Sequence, residues 1–211
     1  MRYRVKFSKT KAMRFTGNLD LHRTLERTMR RANLPLSYSQ GFNPRPKLTL
    51  ASALPLGYTS EHEAADFWLK EEMGVQEIEA VLRKAAPPGI IFHKVEEVDP
   101  RAPKLQTTIT SSNFLVTLLD HVSELDRRVD DLMACGEISI EKIRKGKKRV
   151  YDLRELIVDM KVLPQGEEGQ QRIEMLLRAG EGMTGRPDDV LRELGIDPLK
   201  TLVHRTQIIF K

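Results

Sequence analysis

The order in which strands and helices are predicted along the chain constrains the fold more than any other feature. Residues 2–8 alternate basic and apolar side chains with the period of a half-buried strand. Asn18 is a predicted N-cap, and apolar residues then recur at helical spacing, which predicts a helix over residues 19–33 that ends before Pro35. The same reasoning predicts strands over residues 48–54, 64–70 and 90–98 and a helix that begins at Val75.

The second half of the chain is predicted to repeat this order. Residues 99–106 contain two prolines and lack periodicity, which indicates a linker. Beyond them the patterns predict strands over residues 107–119, 138–143, 171–177 and 202–210 and helices over residues 122–133 and 185–194, whereas residues 151–163 fit either a helix or a strand. Two β-α-β-β-α-β units imply an α+β protein of two tandem ferredoxin-like units with antiparallel sheets, residues 1–100 and residues 105–211.

The composition excludes several classes of protein. With 40% hydrophobic and 31% charged residues, the chain resembles an ordinary globular protein. It has no apolar run near the roughly 18 residues that span a bilayer, and its first residues lack an apolar signal-peptide core, so we expect a cytoplasmic location without a membrane partner. Cys135 is the only cysteine, which excludes an intrachain disulfide framework and a cysteine-only metal or iron–sulfur site.

Positive charge is concentrated at the start of the chain. Residues 1–50 contain twelve lysines and arginines but only two acids, a net charge of +10, whereas the other 161 residues carry a net charge of −5. A basic segment joined to an acidic body is typical of a protein with an anionic partner, most often a nucleic acid. The alternative is internal neutralisation, for which the acids between Glu61 and Glu72 are available.

The predicted first helix carries much of this charge on one face. Arg23, Arg27, Arg30 and Arg31 share an arc of about 100° on a helical wheel, apart from most of the apolar stripe. Arginine is suited to planar, bidentate contacts with phosphate. We therefore predict that these four residues, together with Arg14, bind nucleic acid. A solvated arginine face is the alternative.

The loop after this helix has the composition of an ordered binding loop. Residues 36–47 combine two aromatic residues, two prolines, a glycine and two bases. We expect Phe42 to pack inward and order the loop, and backbone N–H groups near Gly41 to be able to receive a phosphate. The loop side chains predicted to share a groove with the helix arginines are Ser39, Gln40, Asn43, Arg45 and Lys47. The alternative is a simple connector, with Arg45 paired to Glu61 or Glu63.

Catalytic signals are weak. The five histidines show no metal-ligand spacing, and no nucleotide-binding or nucleophile motif occurs, so we predict no metal and no cofactor. His22, on the arginine-rich helix, is the one histidine placed for acid–base work on a phosphodiester. By analogy of fold alone, tandem ferredoxin-like units also occur in metal-independent endoribonucleases that process CRISPR repeat RNA.

The residues from Arg14 to Glu63 resemble the opening of a bacterial family known as radical SAM-linked proteins, which are encoded beside, or fused to, a radical SAM protein. The family is classed as a domain of unknown function. The resemblance therefore implies a radical SAM partner rather than an activity. The match centres on Asp20, Arg30-Arg31-Ala32, Pro35, Ser39, Gly41-Phe42-Asn43-Pro44, Pro46, Pro55-Leu56-Gly57 and Ser60.

Together these observations predict an accessory protein more readily than an enzyme. The leading hypothesis is an RNA-binding protein that assists a radical SAM enzyme in the modification of tRNA or rRNA. One alternative is a protein-interaction subunit of that enzyme that makes no RNA contact. The other is a metal-independent endoribonuclease that uses His22.

Overall fold

The computed structural model describes residues 1–144, 147–180 and 184–211. The chain divides into two compact units, Met1–Ile109 and Thr110–Lys211, which are treated separately below. Within each unit, helices accompany strands whose recorded pairings are antiparallel, so the predicted α+β class is confirmed.

The first unit follows the predicted order of elements. In the sheet, β2 lies beside β3, β3 beside β1, and β1 beside β4, so the spatial order is β4-β1-β3-β2. All three pairings are antiparallel. The elements are β1 (Arg2–Lys9), α1 (Asn18–Arg31), β2 (Leu48–Leu50), β3 (Thr59–Trp68), α2 (Val75–Ala85) and β4 (Ile90–Val98).

A single apolar core joins the helices of this unit to its sheet. Tyr3, Val5 and Phe7 alternate along β1 and are buried, as the sequence pattern predicted. The apolar stripe of α1 and that of α2 belong to the same core cluster. Burying one large apolar side chain contributes roughly 1.5–3 kcal/mol, so this shared core holds both helices against the sheet. The buried side chains of the two stripes are Leu21, Leu25, Met29, Ile78 and Leu82.

The ends of α1 differ in part from the prediction. The helix begins at Asn18 itself, with Gly17 at the N-cap position, and no side chain caps it. At the other end Asn33 has a φ of 54°, and the Leu34 N–H donates to the Met29 carbonyl at 3.2 Å. This is the left-handed helix ending in which glycine or asparagine is favoured. It turns the chain sharply, so that the following residues run back beside α1.

A buried carboxylate connects β1 to β3. Asp66 is completely buried, and it accepts from Arg2 Nε at 3.0 Å and from Arg4 Nε at 2.8 Å. Arg2, which is 5% exposed, also donates to the carbonyl oxygens of Ala102 and Pro103, each at 2.8 Å. Part of the basic excess of the first fifty residues is therefore neutralised inside the protein.

The second unit contains one hairpin more than the sequence predicted. The sheet has the spatial order β10-β5-β9-β8, while β6 and β7 form a separate antiparallel pair. The ambiguous residues 151–163 contain the end of β7, a short 3-10 turn and β8, so they are not a helix. The elements are β5 (Ile109–Leu118), α3 (Leu125–Ala134), β6 (Ser139–Arg144), β7 (Lys147–Asp152), β8 (Ile157–Leu163), β9 (Arg172–Arg178), α4 (Pro187–Glu193) and β10 (Thr201–Phe210).

A second buried carboxylate contacts both strands of the β6–β7 hairpin. Asp189, at the start of α4, is 4% exposed and accepts from Lys142 Nζ at 2.5 Å and from the Tyr151 hydroxyl at 2.9 Å. Burial and the neighbouring Asp189 carboxylate raise the pKa of Tyr151. Because Lys142 is on β6 and Tyr151 is on β7, one carboxylate fastens both strands to α4.

None of the helices in the described ranges combines the length and the apolar composition needed to cross a membrane.

We expect replacement of the Asp66 carboxylate to destabilise the protein strongly. Asp66→Asn removes the carboxylate that pairs with both Arg2 and Arg4, and removing one member of a buried ion pair costs about 3–5 kcal/mol. Glu97→Gln, an exposed change on β4, is the control and should shift stability by less than about 0.5 kcal/mol. Urea unfolding measures both, and equal losses in the two variants would contradict the assignment.

Candidate functional site

The loop that follows α1 is a hairpin held by its backbone. The Ser39 N–H donates to the Arg45 carbonyl and the Lys47 N–H to the Ser37 carbonyl, both at 2.8 Å. The hairpin is joined to the end of β3, because the Ser37 N–H donates to the Trp68 carbonyl at 2.8 Å. Pro46 is buried at its base. We call residues 37–47 the basic hairpin.

Phe42 does not pack inward, so the expected anchor of the loop is wrong. Its side chain is 105% exposed, and it stands in a tip, residues 40–44, that is exposed throughout. The backbone hydrogen bonds and buried Pro46 order the hairpin without it. Gly41 has a φ of 141°, a conformation that side chains disfavour, and this explains a glycine next to Phe42.

A cleft of about 550 Å³ opens between α1 and the basic hairpin. Helix α1 contributes one histidine and one glutamate, the hairpin contributes two cations and a serine hydroxyl, and β2 and the end of β3 supply the remaining wall. The lining residues are His22, Glu26, Ser39, Arg45, Pro46, Lys47, Leu48, Thr49 and Trp68.

The cations of the hairpin are available to a ligand. Arg45 and Lys47 are exposed, and in the described parts of the chain neither side chain makes an ion pair. The alternative in which Arg45 pairs with Glu61 or Glu63 is therefore not found. Across the cleft, Glu26 provides a carboxylate whose Oε1 lies 3.3 Å from His22 Nδ1. Positive charge on the hairpin wall thus faces a negative charge on the helix wall.

His22 contacts groups of the protein through both of its ring nitrogens. Its Nε2 lies 3.1 Å from the Leu48 carbonyl oxygen, to which it donates, and its Nδ1 faces the Glu26 carboxylate. Both ring nitrogens are therefore engaged with groups of the protein. The ring links α1 to β2 and holds the helix wall of the cleft in place.

The arginines of α1 divide between several environments. Arg30 lies over the ring of Tyr38, with its guanidinium carbon 5.8 Å from the ring centroid, so it joins α1 to the basic hairpin. Arg23 is exposed and reaches Asp20 at 3.3 Å, an exposed pair of little energetic weight. Arg27 is exposed, and no ion pair to it is recorded within the described ranges. None of these three lines the cleft itself.

Two of the predicted binding residues are engaged elsewhere. Arg31 donates from both Nε and Nη2 to the carbonyl oxygen of Ala85, the last residue of α2, where a positive charge complements the helix dipole. Arg14 donates to the Gly57 carbonyl at 2.9 Å and lies over the ring of Phe15. The contacts with Ala85 and Gly57 join residues that are distant in sequence, and neither arginine lines the cleft.

Other predicted residues lie close to the cleft, and some lining residues were not foreseen. Gln40 and Asn43 are exposed at the hairpin tip and do not line the cleft, unlike Ser39. Sequence analysis missed Glu26 and Trp68. Glu26 had a local signal, since it follows His22 by one helical turn. Trp68 had none, because its position depends on the pairing of β3 with the hairpin.

In a serine–histidine contact elsewhere in the first unit, the directions of the hydrogen bonds do not allow the histidine to activate the serine. Ser8 Oγ lies 2.6 Å from His93 Nε2, and the same hydroxyl donates to the Glu61 carbonyl at 2.9 Å. Because its proton is used in that bond, the hydroxyl accepts from His93 instead of being activated by it. Within the described residues, no group of three potential metal ligands occurs.

Residues 2–187 match a family model described as an uncharacterized protein conserved in bacteria (DUF2344). The chain belongs to this family. The match confirms the predicted bacterial family of unknown function, and the family's description names no partner or activity. No curated protein matches the sequence.

Several solved structures resemble the chain in backbone architecture at low sequence identity. A Cbf5–Nop10–Gar1 complex matches at 11% identity over 98% of this chain and 48% of that chain, with a TM-score of 0.49. An archaeal box H/ACA sRNP Nop10–Cbf5 complex matches at 11% identity over 98% and 47%, with a TM-score of 0.45. An H/ACA RNP bound to a substrate RNA containing 2'-deoxyuridine matches at 12% identity over 89% and 43%, with a TM-score of 0.42. The chain spans about half the length of the chains that it matches.

We expect loss of the side-chain charge to lower the stability of the protein at Arg31 and to have little effect at Arg27. Arg31→Gln loses two hydrogen bonds to the end of α2 and should destabilise the protein by about 1 kcal/mol. Arg27→Gln, which changes an exposed residue on the same helix, should stay within about 0.5 kcal/mol of the unchanged protein. Chemical denaturation measures the difference, and a larger loss for Arg27→Gln would show that the two roles are misassigned.

Proposed function

We propose that the chain is a non-catalytic RNA-binding protein that assists a radical SAM enzyme in the modification of tRNA or rRNA, and that it contacts RNA through the cleft and the basic hairpin. The observation that carries this proposal is the pair of exposed cations on the hairpin, Arg45 and Lys47. They have no ion pair in the described residues and they line the same cleft. Cations that the protein does not neutralise are available to an anionic ligand.

The chemistry around these cations suits RNA better than a simple anion. Ser39 adds a neutral hydrogen-bonding group to the cleft, and Arg30 is positioned beside the hairpin by Tyr38. The phosphates of RNA would pair with Arg45 and Lys47, while hydroxyl and base groups bond to neutral side chains. Arg23 and Arg27 extend the positive surface along the exposed side of α1.

We also propose that both units are ferredoxin-like. In the first unit the strand order β4-β1-β3-β2, with a helix after β1 and another after β3, is that of a split β-α-β fold. In the second unit, β5, β8, β9 and β10 take the same relative positions if the β6–β7 pair is regarded as an insertion after α3. Such sheets present loops at their ends, where the cleft of the first unit lies.

An accessory role is favoured over catalysis by the way reactive groups are used. His22 is engaged through both ring nitrogens, and Ser8 directs its proton to a carbonyl oxygen. Cys135 is the only cysteine, and a radical SAM enzyme needs three for its cluster. The chemistry of the modification would therefore belong to the partner, which the family resemblance of the sequence implies.

Charge reversal on the hairpin should weaken RNA binding. Arg45→Glu combined with Lys47→Glu should lower affinity for labelled tRNA by at least about tenfold, because two phosphate contacts are replaced by repulsion. The slope of the logarithm of the binding constant against the logarithm of the salt concentration should decrease in magnitude by about 1.4 if the contacted RNA is single-stranded. Fluorescence anisotropy at several salt concentrations measures both quantities.

The matched control reverses two charges outside the site. Lys84 and Lys104 are exposed in the same unit and do not line the cleft. Lys84→Glu combined with Lys104→Glu should therefore leave most of the affinity intact. An equal loss in the two double variants would indicate attraction by net charge alone. Absence of binding by the unchanged protein in about 50 mM salt would overturn the proposed function.

The alternative of a protein-interaction subunit is favoured by one observation. Three large apolar side chains of the first unit are exposed: Phe15 at 76%, Leu19 at 74% and Leu56 at 63%. Exposed apolar side chains that lie together often mark a protein contact. The segments that carry Phe15 and Leu56 are joined, because the Gly57 N–H donates to the Arg14 carbonyl at 3.0 Å. These apolar side chains are a candidate contact for the radical SAM protein.

Capture of partners from the source bacterium tests this contact. We expect the tagged chain to retain a radical SAM protein, and Phe15→Ser combined with Leu56→Ser to lose it while RNA affinity is unchanged. The hairpin double variant should show the opposite behaviour. If the hairpin variant loses the protein partner and keeps its RNA affinity, the protein-interaction alternative is correct.

A further inference from the structure

Phe42 is the most exposed large apolar side chain in the described part of the chain. Its exposure is 105%, compared with 88% for Leu199 and 76% for Phe15. It lies at the end of the basic hairpin, away from the apolar core of the unit. A fully exposed aromatic ring offers both faces to a planar ligand, and it contributes nothing to folding that would explain its position.

The hairpin presents this ring on an ordered support. The paired backbone of Ser39 and Arg45 closes the hairpin just below the tip, and the Arg45 N–H also donates to Ser39 Oγ at 3.1 Å. Pro44 restricts the chain on one side of Phe42. A support that is ordered before binding reduces the entropy lost when a ligand is bound.

The cleft at the base of the hairpin has cations on one wall and a carboxylate on the other. Arg45 and Lys47 line the hairpin wall, whereas Glu26 lines the helix wall. Glu26 Oε1 lies 3.3 Å from His22 Nδ1, which leaves the second carboxylate oxygen of this cleft residue without a hydrogen-bond partner among the described residues. A carboxylate does accept hydrogen bonds from the N–H groups at the edge of a nucleobase. The two walls therefore fit a nucleotide whose backbone follows the hairpin and whose base faces α1.

The aromatic ring and the cleft are close enough to contact one strand. Phe42 is three positions from Ser39 on one side and from Arg45 on the other, a span of at most about 11 Å. Both Ser39 and Arg45 line the cleft. A strand whose phosphates pair with Arg45 can therefore place a neighbouring base on Phe42.

From these observations we propose that the RNA is single-stranded where it meets the protein, with one unpaired base stacked on Phe42 and a neighbouring base edge facing Glu26. This proposal rests on the proposed function and specifies its substrate class. In an RNA duplex the bases are paired and stacked inside the helix, so none can reach Phe42. In a loop or a single strand the bases are available for stacking on an aromatic side chain.

Binding of three RNAs by the full chain tests the proposal. The probes are a single-stranded oligonucleotide, a duplex that contains it, and a stem–loop that displays it in the loop. We expect tighter binding to the single strand and the loop than to the duplex. Phe42→Ala should weaken binding to these two RNAs by about 5- to 150-fold, the value of one base stacked on an aromatic ring. Binding to the duplex should not change.

Two further variants isolate the effect of the ring. Phe42→Trp keeps an aromatic surface and should restore affinity to within about threefold of the unchanged protein. Leu199→Ala removes another exposed apolar side chain and should leave affinity for all three RNAs unchanged. Because Phe42 is fully exposed, Phe42→Ala should fold as the unchanged protein does, which circular dichroism verifies.

The possible results separate failure of the single-strand proposal from failure of the proposed function. If charge reversal of Arg45 and Lys47 weakens binding and Phe42→Ala does not, RNA binding stands and stacking on Phe42 is wrong. Preference for the duplex overturns the single-strand proposal in the same way. If no RNA is bound, both proposals fall. Loss of a captured protein partner on Phe42→Ala, with RNA affinity unchanged, assigns the ring to a protein contact instead.

Discussion

The carboxylate of Asp66 holds together the part of the protein from which the site is built. It accepts from Arg2 and Arg4 across the pairing of β1 with β3, and Arg2 in turn binds the carbonyl oxygens of Ala102 and Pro103. Two residues beyond Asp66, Trp68 lines the cleft, with the Arg2 guanidinium 5.6 Å from its ring. A buried ion pair thus positions the strand end against which the basic hairpin is hydrogen-bonded.

The distribution of charge in the sequence and its distribution on the surface are different quantities. Of the bases in the first fifty residues, Arg2 and Arg4 are neutralised by Asp66, Lys6 reaches Glu96, and Arg31 caps α2. The cations left for a ligand are therefore fewer than the net charge suggests, and two of them, Arg45 and Lys47, line one cleft. The placement of these two cations, more than the total charge, is the basis of the proposed contact with an anionic partner.

Local patterns predicted most of the elements, whereas contacts between distant residues did not follow from sequence. The stripe of Leu21, Leu25 and Met29 predicted α1 because helical periodicity is a property of neighbouring residues. The predicted inward packing of Phe42 was wrong because the surroundings of this side chain depend on the pairing of residues 37–47. The contact between Arg31 and Ala85 did not follow from the sequence because it depends on the position of α2. In the second unit the β6–β7 hairpin was missed: its first strand was predicted, but the polar residues of the second have no clear apolar alternation.

The basic hairpin owes its shape to main-chain hydrogen bonds and to a buried proline at its base, not to the side chains of its tip. Residues 40, 42 and 43 can therefore be exchanged with little effect on folding, provided that Gly41 supplies its unusual backbone angle. Such a frame allows evolution to vary the contacted ligand separately from the fold. Related chains could thus acquire different preferences by changing three side chains, while the helix wall, the buried carboxylate and the apolar core stay as they are.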